Sequence, residues 1–411
     1  GGTGFSYGSI RERDSLIRST GKRAVGPIPV IKLKNYMMSE FIIQGGTRNG
    51  ANMGTLPIDH PDIEEFITFK KEDKSCVSFN ISPTVSDDFM KAVRADGDWD
   101  LISRVDGSVK KTLKARTLFD KICRNAWETG DPGMLFIDTA NRFNPTPQLG
   151  RLEATNPCGE QWLLPNEACT LGHLNLGKYF IAESAESDPW ESRFDWKLFH
   201  SDIRNAVRFL DNVIEVNYYA LPEIERMHKR MNRKIGLGVM GEADLLIMLG
   251  MSYGSADALM VSDGIGAFLR LNADKASSDL AGERGSFGAF EGSAVQAQGW
   301  VGMRNACRTT VAPTGSTAII VNASTSIEPV SFLILARDQA GMKMYEVYPP
   351  FQEYLDTLPV EAVTGIYKYY FEFNSVQGCP YMDIKHQELF LQANDVDVEA
   401  HVMMQATWQK H

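Results

Sequence analysis

Cysteine and long apolar runs are both scarce in this sequence of 411 residues. Its six cysteines, at positions 76, 123, 158, 169, 307 and 379, are too scattered for a disulfide-stapled secreted scaffold, and no two form a CxxC pair. No apolar stretch approaches the roughly 18 to 20 residues that span a bilayer. The opening residues, GGTGFSYGSIRERDS, lack the apolar core of a signal peptide. We therefore expect a cytoplasmic protein without a membrane contact.

An excess of positive charge is also missing. The formal charge of -10 and the pI near 5.3 argue against a broad nucleic-acid surface, so we expect no direct nucleic-acid partner. No fixed-period repeat or low-complexity segment occurs, which excludes a solenoid or a linker-joined array. With 43% hydrophobic residues, the chain can bury a large core in one big domain or in two to three ordinary ones.

Helix-like and strand-like patterns alternate along the chain, which predicts an α/β architecture with a parallel or mixed sheet. Apolar residues every three or four positions predict helices over 36–44, 61–71, 117–130, 201–216, 256–280 and 398–411. Short β-branched or aromatic runs predict strands within 75–82, 133–138, 233–241 and 317–324. Glycine clusters predict loops at 1–8, 45–54 and 312–318. The first loop has no preceding strand and the last helix has no cap, so we expect a truncated or split chain.

The stretch NPCGE holds the most specific local pattern, with Asn156, Cys158 and Glu160 at alternate positions. Pro157 favours an extended conformation at Asn156 and Gly159 frees the backbone after Cys158, which predicts a tight loop from which Cys158 projects. In an extended loop the three side chains would share one face, presenting an amide, a thiol and a carboxylate.

A nucleophilic cysteine would need a nearby histidine, and His173 is the only one near in sequence. A metal site would need a second ligand two to four residues away, so we predict no metal there. Hydrogen-atom chemistry at a hydroxyl-bearing carbon fits the trio better, and a buried free cysteine in a turn is the simpler alternative.

Two of the glycine-containing loops have the composition of ligand-binding segments. The loop APTGSTA at 312–318 offers free amide groups and three hydroxyls, which suits an anion, but it lacks the lysine of a P-loop. The loop GGTRNGANM surrounds Arg48 and Asn49 with glycines, which would let a flat polar ligand approach closely. A capped turn and a solvated hairpin tip are the respective alternatives.

The segment ATNPCGEQWLLPNEACTLGHLNL resembles the active-site segment of class II, adenosylcobalamin-dependent ribonucleotide reductases. Further segments resemble that family in the same order, among them GGTGFSYGSIR, IIQGGTRNGANMGTLPIDHPDIEEFI, RKIGLGVMGEADLL and RNACRTTVAPTGSTAII. The resemblance implies one catalytic domain over 1–411, a ten-stranded α/β barrel that is incomplete here. A central finger loop would carry the radical cysteine.

Residue roles follow from the resemblance. Cys158 matches the cysteine whose thiyl radical abstracts the 3′ hydrogen of a ribonucleotide, with adenosylcobalamin as the radical source. Glu160 matches the carboxylate that takes the 3′ hydroxyl proton, and Asn156 matches the amide that contacts the substrate sugar. Cys169 matches one of two cysteines that supply electrons and close into a disulfide. The substrate phosphates would bind Pro313, Thr314, Gly315, Ser316 and Thr317.

The resemblance also implies regulation and partners. Residues 1–54 would include effector loops, with Gly45, Gly46, Arg48 and Asn49 relaying the identity of a deoxynucleoside triphosphate or ATP effector. The family habit is a homodimer, reduced by thioredoxin or another dithiol. The resemblance allows diphosphate or triphosphate substrates, and we favour diphosphates.

The sequence departs from the family pattern in places. The partner of Cys169 belongs to an early strand that this chain does not contain, and none of Cys76, Cys123, Cys307 and Cys379 matches it. We therefore expect turnover to need either a companion chain or the missing ends of a truncated one. Glu242 stands where many relatives carry tryptophan. The alternatives are a class I large subunit, whose radical comes from a second subunit, and a nucleotide-binding remnant without catalysis.

Overall fold

A computed structural model describes residues 2–41, 43–44, 48–72, 74, 76–339 and 342–411, with backbone alone at 43–44, 48–49, 72, 337–339 and 342–344. The strands in this part of the chain are β1 Gly2–Ser6, β2 Leu16–Ile17, β3 Lys22–Arg23, β4 Ile43–Gln44, β5 Arg48–Asn49, β6 Ala51–Pro57, β7 Phe79–Val85, β8 Asp98–Ile102, β9 Val109–Lys114, β10 Leu135–Phe136, β11 Ala154–Thr155, β12 Trp162–Leu163, β13 Thr170–Asn175, β14 Ile235–Met240, β15 Ile334–Gln339 and β16 Met342–Val347.

The α-helices follow the same order. They are α1 Pro27–Glu40, α2 Ile63–Glu72, α3 Asp87–Arg94, α4 Ala115–Thr129, α5 Ile137–Arg142, α6 Trp196–Val216, α7 Pro222–Ile224, α8 Glu242–Leu249, α9 Ala256–Arg284, α10 Ala294–Ala297, α11 Gly315–Val321, α12 Pro349–Leu355, α13 Val360–Phe373, α14 Ile384–Leu389 and α15 Val398–Gln409. Short 3₁₀ turns cover Pro147–Leu149, Leu176–Tyr179 and Trp190–Arg193, and Glu225–Asn232 forms a π-helix. No helix among the described residues is both long enough and apolar enough to cross a membrane.

Five of the six helices predicted from periodicity are present, as α2, α4, α6, α9 and α15. The sixth prediction is shifted, because α1 begins at Pro27 rather than at 36. Proline at this first helical position loses no hydrogen bond and already has a helical φ. The strand predicted within 317–324 is wrong, because residues 317–321 belong to α11. The β-branched run of α11 is exposed at Ile319 and Ile320, so packing against a sheet does not fix it as a strand.

Contacts divide the chain into two compact units, which are described separately here. Unit 1 comprises Gly1–Ala168 and Ala289–Gly299, and unit 2 comprises Cys169–Gly288 and Trp300–His411. The prediction of a single catalytic domain over 1–411 stays a prediction.

Unit 1 is built on a four-stranded parallel sheet in the order β1-β6-β7-β10. Its core contains Phe79 and Ile81 from β7, Phe66 from α2 and Leu118 from α4, all of them fully buried or nearly so.

The loop predicted over 1–8 is wrong, because β1 occupies Gly2–Ser6 and pairs with β6 along its length. Glycine generally weakens a strand. In β1 it is needed because the backbone of Thr155 lies too close to Gly4 for any side chain to fit.

Unit 2 pairs β13 with β14 in parallel, with Thr170 opposite Ile235 and Asn175 opposite Met240. A third parallel segment continues this sheet through a bridge between Leu237 and Thr309. The helices α6 and α9 cover one face, where their side chains form a buried core with alternate residues of β14. Cys169 and its neighbours therefore lie on the other face of β13 and β14.

Candidate active site

Cys158 stands in a hairpin loop of unit 1. Strands β11 and β12 pair antiparallel, with Ala154 opposite Leu163 and Thr155 opposite Trp162, so residues 156–161 form the connection. Within it, the amide of Asn156 donates to the carbonyl of Gln161 at 3.2 Å, and the amide of Gln161 donates to Oδ1 of Asn156 at 3.0 Å. These bonds close the base of the loop and leave Cys158 at its tip.

A β-turn gives the tip its shape. The amide of Gly159 donates to the carbonyl of Asn156 at 3.1 Å, and Gly159 has a φ of 90°. Asparagine first, proline second and glycine fourth is a typical sequence for such a turn. The predicted tight loop with a projecting Cys158 is present, whereas the extended face predicted from alternate spacing is wrong. The turn leaves Cys158 exposed, whereas Asn156 and Glu160 are half-buried.

The hairpin is held tightly against the parallel sheet. From β7, Nδ2 of Asn80 donates to the carbonyl of Pro157 at 2.7 Å, and from β6, Oγ1 of Thr55 donates to the carbonyl of Glu153 at 3.0 Å. On β1, a Cβ at Gly4 would stand 1.8 Å from the carbonyl oxygen of Thr155. No side chain fits at such a distance, so glycine is what lets the hairpin lie directly on β1.

The hairpin therefore presents an exposed thiol on a rigid support, flanked by an amide and a carboxylate. Because Oδ1 of Asn156 already accepts from Gln161, its Nδ2 group is the one available to a ligand. Glu160 can accept a proton, and Cys158 can give up a hydrogen atom. The set suits radical chemistry on a hydroxyl-bearing substrate.

Cys169 lies in unit 2, directly before β13, and is partly exposed. A Cβ at Gly172 would meet Leu210 of α6 at 3.2 Å, so the even-numbered residues of β13 face the helices. By strand alternation Cys169 and His173 face the other side of the sheet. His173 is opposite Gly238, and burial lowers the pKa of its imidazole.

Cys307 is the cysteine nearest to Cys169 in the strand order of unit 2, yet it cannot bridge to it. The amide of Ile235 donates to the carbonyl of Cys307 at 3.0 Å, which places Cys307 on the far side of β14 from β13. Two strand spacings are about 10 Å, whereas Cα atoms of a disulfide lie about 4.4 to 6.8 Å apart.

The loop at 312–318 follows this third segment and runs into α11, which begins at Gly315. Gly315, Ser316 and Thr317 are exposed, and the amide groups of a first helical turn have no partner within the helix. Thr314 is buried with a φ of 55°, an unusual conformation for a β-branched residue. Its hydroxyl accepts from the amide of Ser326 at 2.8 Å. Backbone strain of this kind is often found where a loop is shaped for binding.

The structure describes only some of the residues that were predicted to respond to the effector. Gly45 and Gly46 lie outside the described residues. Arg48 and Asn49 form β5, paired with β4, and their side chains are likewise outside the description. Their effector role stays a prediction.

Sequence reasoning missed the residues that hold the hairpin. Gly2, Gly4, Thr55 and Asn80 all contact or approach it. The available signals were the glycines of β1, placed two residues apart, and a lone asparagine in the apolar run SFNIS. The described residues contain no cluster of histidine, cysteine and acidic side chains that could hold a metal ion.

Comparison with known proteins identifies the family. The family described as "Ribonucleotide reductase, barrel domain" matches residues 1–300 and 295–411. The whole chain is 40% identical to a vitamin B12-dependent ribonucleoside-diphosphate reductase of Thermoplasma acidophilum, and 38% identical to one of Mycobacterium tuberculosis. It spans 52% and 58% of the length of these relatives.

A solved structure supports the fold. The class Id ribonucleotide reductase alpha subunit of Actinobacillus ureae superposes on all of this chain and 70% of its own, with a TM-score of 0.75 at 22% identity. The predicted barrel-type α/β fold is thereby confirmed. Because the family model matches it from end to end, the chain belongs to the ribonucleotide reductase barrel family.

Proposed function

We propose that this chain carries the radical and substrate-binding steps of ribonucleoside diphosphate reduction, with adenosylcobalamin as the cofactor. The observation that carries the proposal is the hairpin, which holds Cys158 exposed at its tip with Asn156 and Glu160 beside it. The B12-dependent relatives support this choice over a class I large subunit. Their names specify diphosphates, which supports that substrate over triphosphates.

The exposed position of Cys158 fits a thiol that must be reached by a radical formed outside the loop. When bound, adenosylcobalamin supplies the 5′-deoxyadenosyl radical that takes the hydrogen atom of this thiol. The Cys158 thiyl then breaks the 3′ C–H bond of the ribonucleotide and forms an S–H bond. Glu160 accepts the proton of the 3′ hydroxyl, and a thiol of the reducing pair protonates the 2′ hydroxyl, which leaves as water. Nδ2 of Asn156 orients the sugar, and the S–H group of Cys158 finally returns its hydrogen atom to C3′.

The reduction needs two electrons from thiols. Cys169 supplies one thiol and a second cysteine the other, and their oxidation to a disulfide releases two electrons and two protons. The strand order of unit 2 argues against Cys307 as the second thiol. An external dithiol, such as a thioredoxin, then reduces the disulfide.

The loop at 312–318 is the proposed site for the substrate phosphates. Its exposed amides at Gly315, Ser316 and Thr317 and the hydroxyl of Ser316 are hydrogen-bond donors of the kind that bind phosphate. We further propose a cytoplasmic homodimer in which a deoxynucleoside triphosphate or ATP acts through the segment containing Arg48.

The test combines the purified, prereduced chain with adenosylcobalamin, a dithiol and a mixture of ribonucleoside diphosphates. Deoxynucleotide and 5′-deoxyadenosine are measured by chromatography. We expect 5′-deoxyadenosine from the wild type, with steady deoxynucleotide formation only when the missing ends or a companion chain are also present, and we expect Cys158→Ser to form neither. Serine keeps the size of the side chain but its O–H bond is too strong for the same hydrogen transfer.

Other outcomes discriminate between the alternatives. Deoxynucleotide formation that requires an iron- or manganese-loaded second subunit, without cleavage of adenosylcobalamin, would favour a class I enzyme. Equal product formation by wild type and Cys158→Ser would refute the proposed mechanism. Nucleotide binding without any product would favour the remnant.

A further inference from the structure

The segment from the 312–318 loop to residue 326 contains three non-glycine residues in the left-handed region. Thr314 has a φ of 55°, Asn322 of 54° and Ser326 of 48°. Non-glycine residues enter this region at a conformational cost, which is larger for a β-branched residue such as Thr314. Such conformations persist only where surrounding contacts hold them. The question is which contacts do so here.

One contact acts directly on the loop. The amide of Ser326 donates to Oγ1 of Thr314 at 2.8 Å, and the carbonyl of Thr314 accepts from the amide of Ala318 at 2.8 Å and from Oγ1 of Thr317 at 3.0 Å. The conformation of Thr314 therefore depends on where the backbone of Ser326 stands.

Two residues earlier, Ser324 is fixed to the first turn of α8. Its amide donates to Oδ2 of Asp244 at 2.9 Å, and the amide of Asp244 donates to Oγ of Ser324 at 3.3 Å. The amide of Gly241 also donates to the carbonyl of Ser324 at 2.8 Å. Three hydrogen bonds thus hold one residue, and Asp244 takes part in two of them.

Asp244 has a further partner. The hydroxyl of Tyr348, which directly precedes α12, donates to Oδ1 of Asp244. Asp244 is buried, and burial raises the pKa of its carboxyl group, so donors on both oxygens are what stabilise its ionised form. A neutral side chain at this position could not accept on both oxygens in the same way.

We propose that Asp244 is a positioning residue for the 312–318 loop, holding Ser324 and through it the Ser326–Thr314 hydrogen bond. This inference rests on the proposed function, in which the loop binds the diphosphate of the substrate. Asp244 touches no substrate. Its effect is to keep the loop amides pointing in one direction before the ligand arrives, which lowers the entropic cost of binding.

The test compares Asp244→Asn and Tyr348→Phe with matched changes elsewhere in unit 2. The control pair is Tyr179 and Asp202, in which the tyrosine hydroxyl likewise donates to a carboxylate, at 3.0 Å, but joins the 176–179 turn to α6. The controls are Tyr179→Phe and Asp202→Asn. For every variant, calorimetry measures the affinity for ADP and for adenosine, and hydrogen exchange measures the amides of 322–326.

We expect Asp244→Asn to weaken ADP binding on the order of 10-fold, as for one lost hydrogen bond to a charged group. Adenosine affinity should stay within about 2-fold, because adenosine has no phosphate. Tyr348→Phe should have a smaller effect in the same direction. The amides of 322–326 should exchange faster in both variants and at the wild-type rate in both controls.

Each other outcome is informative. If the wild type prefers ADP to adenosine and both Asp244→Asn and Tyr348→Phe keep that preference, the inference about Asp244 is overturned while the proposed function stands. Equal losses for ADP and adenosine would show general damage and overturn it as well. A wild type that binds ADP no better than adenosine would overturn the proposed substrate and, with it, this inference. If Asp244→Asn does not fold, Tyr348→Phe decides.

Discussion

The close approach of β1 to the hairpin that carries Cys158 allows a sharp test with one methyl group. In Gly4→Ala, the added Cβ would stand 1.8 Å from the carbonyl oxygen and 2.9 Å from the carbonyl carbon of Thr155. Both are backbone atoms, so no rotation of a side chain can relieve the contact. Gly4 is also opposite Met53 in the parallel ladder with β6, so β1 cannot retreat without breaking that ladder.

The hairpin must therefore move by roughly 1 Å or more, since packed protein interiors contain no free space for the methyl group. Overpacking of this kind costs about 1 to 3 kcal/mol. If the hairpin absorbs that cost, the equilibrium for its local opening rises by about 5- to 150-fold. A shift of about 1 Å in a reacting group can also reduce catalysis about 100-fold.

Hydrogen exchange of the 154–163 segment measures this effect in the chain itself. The amides of Asn156, Gly159 and Gln161 are hydrogen-bonded within the loop, and we expect them to exchange about 5- to 150-fold faster in Gly4→Ala. Gly97→Ala is the control, because its Cβ would meet Ala92 at an ordinary 3.7 Å. Unchanged exchange at 154–163 in Gly4→Ala would refute the claim that glycine is required there.

Three further predictions concern single side chains. Cys158→Ser should abolish product formation while leaving the calorimetric affinity for ADP within about 2-fold, because the exposed thiol contributes little binding energy; a large loss of affinity would contradict this. Thr314→Val removes the acceptor for the Ser326 amide and should weaken ADP binding about 10-fold, whereas Thr314→Ser should bind like wild type. Burial raises the pKa of Glu242 from 4.5 to about 7, so the folded state holds its proton more tightly than the unfolded state does. Stability should therefore fall as the pH rises from 4.5 towards 7, by up to about 3 kcal/mol. Denaturant unfolding of Glu242→Gln should lose this pH dependence, whereas the exposed-site control Glu283→Gln should keep it.

Periodicity in the sequence located α2, α4, α6, α9 and α15, because the burial of such helices requires an apolar stripe that repeats with the helical turn. The wrong strand within 317–324 shows the limit of this reasoning. A β-branched run favours a strand only when neighbouring strands pack against it. In the structure that run lies in α11, and the sheet instead continues through the residues around Thr309.

The hairpin shows a similar division. The sequence NPCG contains every residue that its β-turn needs, and Pro157 and Gly159 predicted a tight loop at Cys158. Reading alternate positions as an extended face was wrong because the Gly159 amide closes back on Asn156. The anchors Thr55 and Asn80 lie about 100 and 77 residues from the groups that they contact, beyond the reach of local patterns.

The sequence by itself determined the chemistry that this protein can perform: a cysteine in a proline–glycine turn, a carboxylate two residues later, and a loop rich in hydroxyls. These depend on residue type and short spacing, which a sequence states directly. Only the tertiary structure decided why glycine occupies position 4, why Thr314 can keep a left-handed conformation, and why Cys307 cannot pair with Cys169. Those facts depend on which distant backbones lie side by side, and packing alone sets those distances.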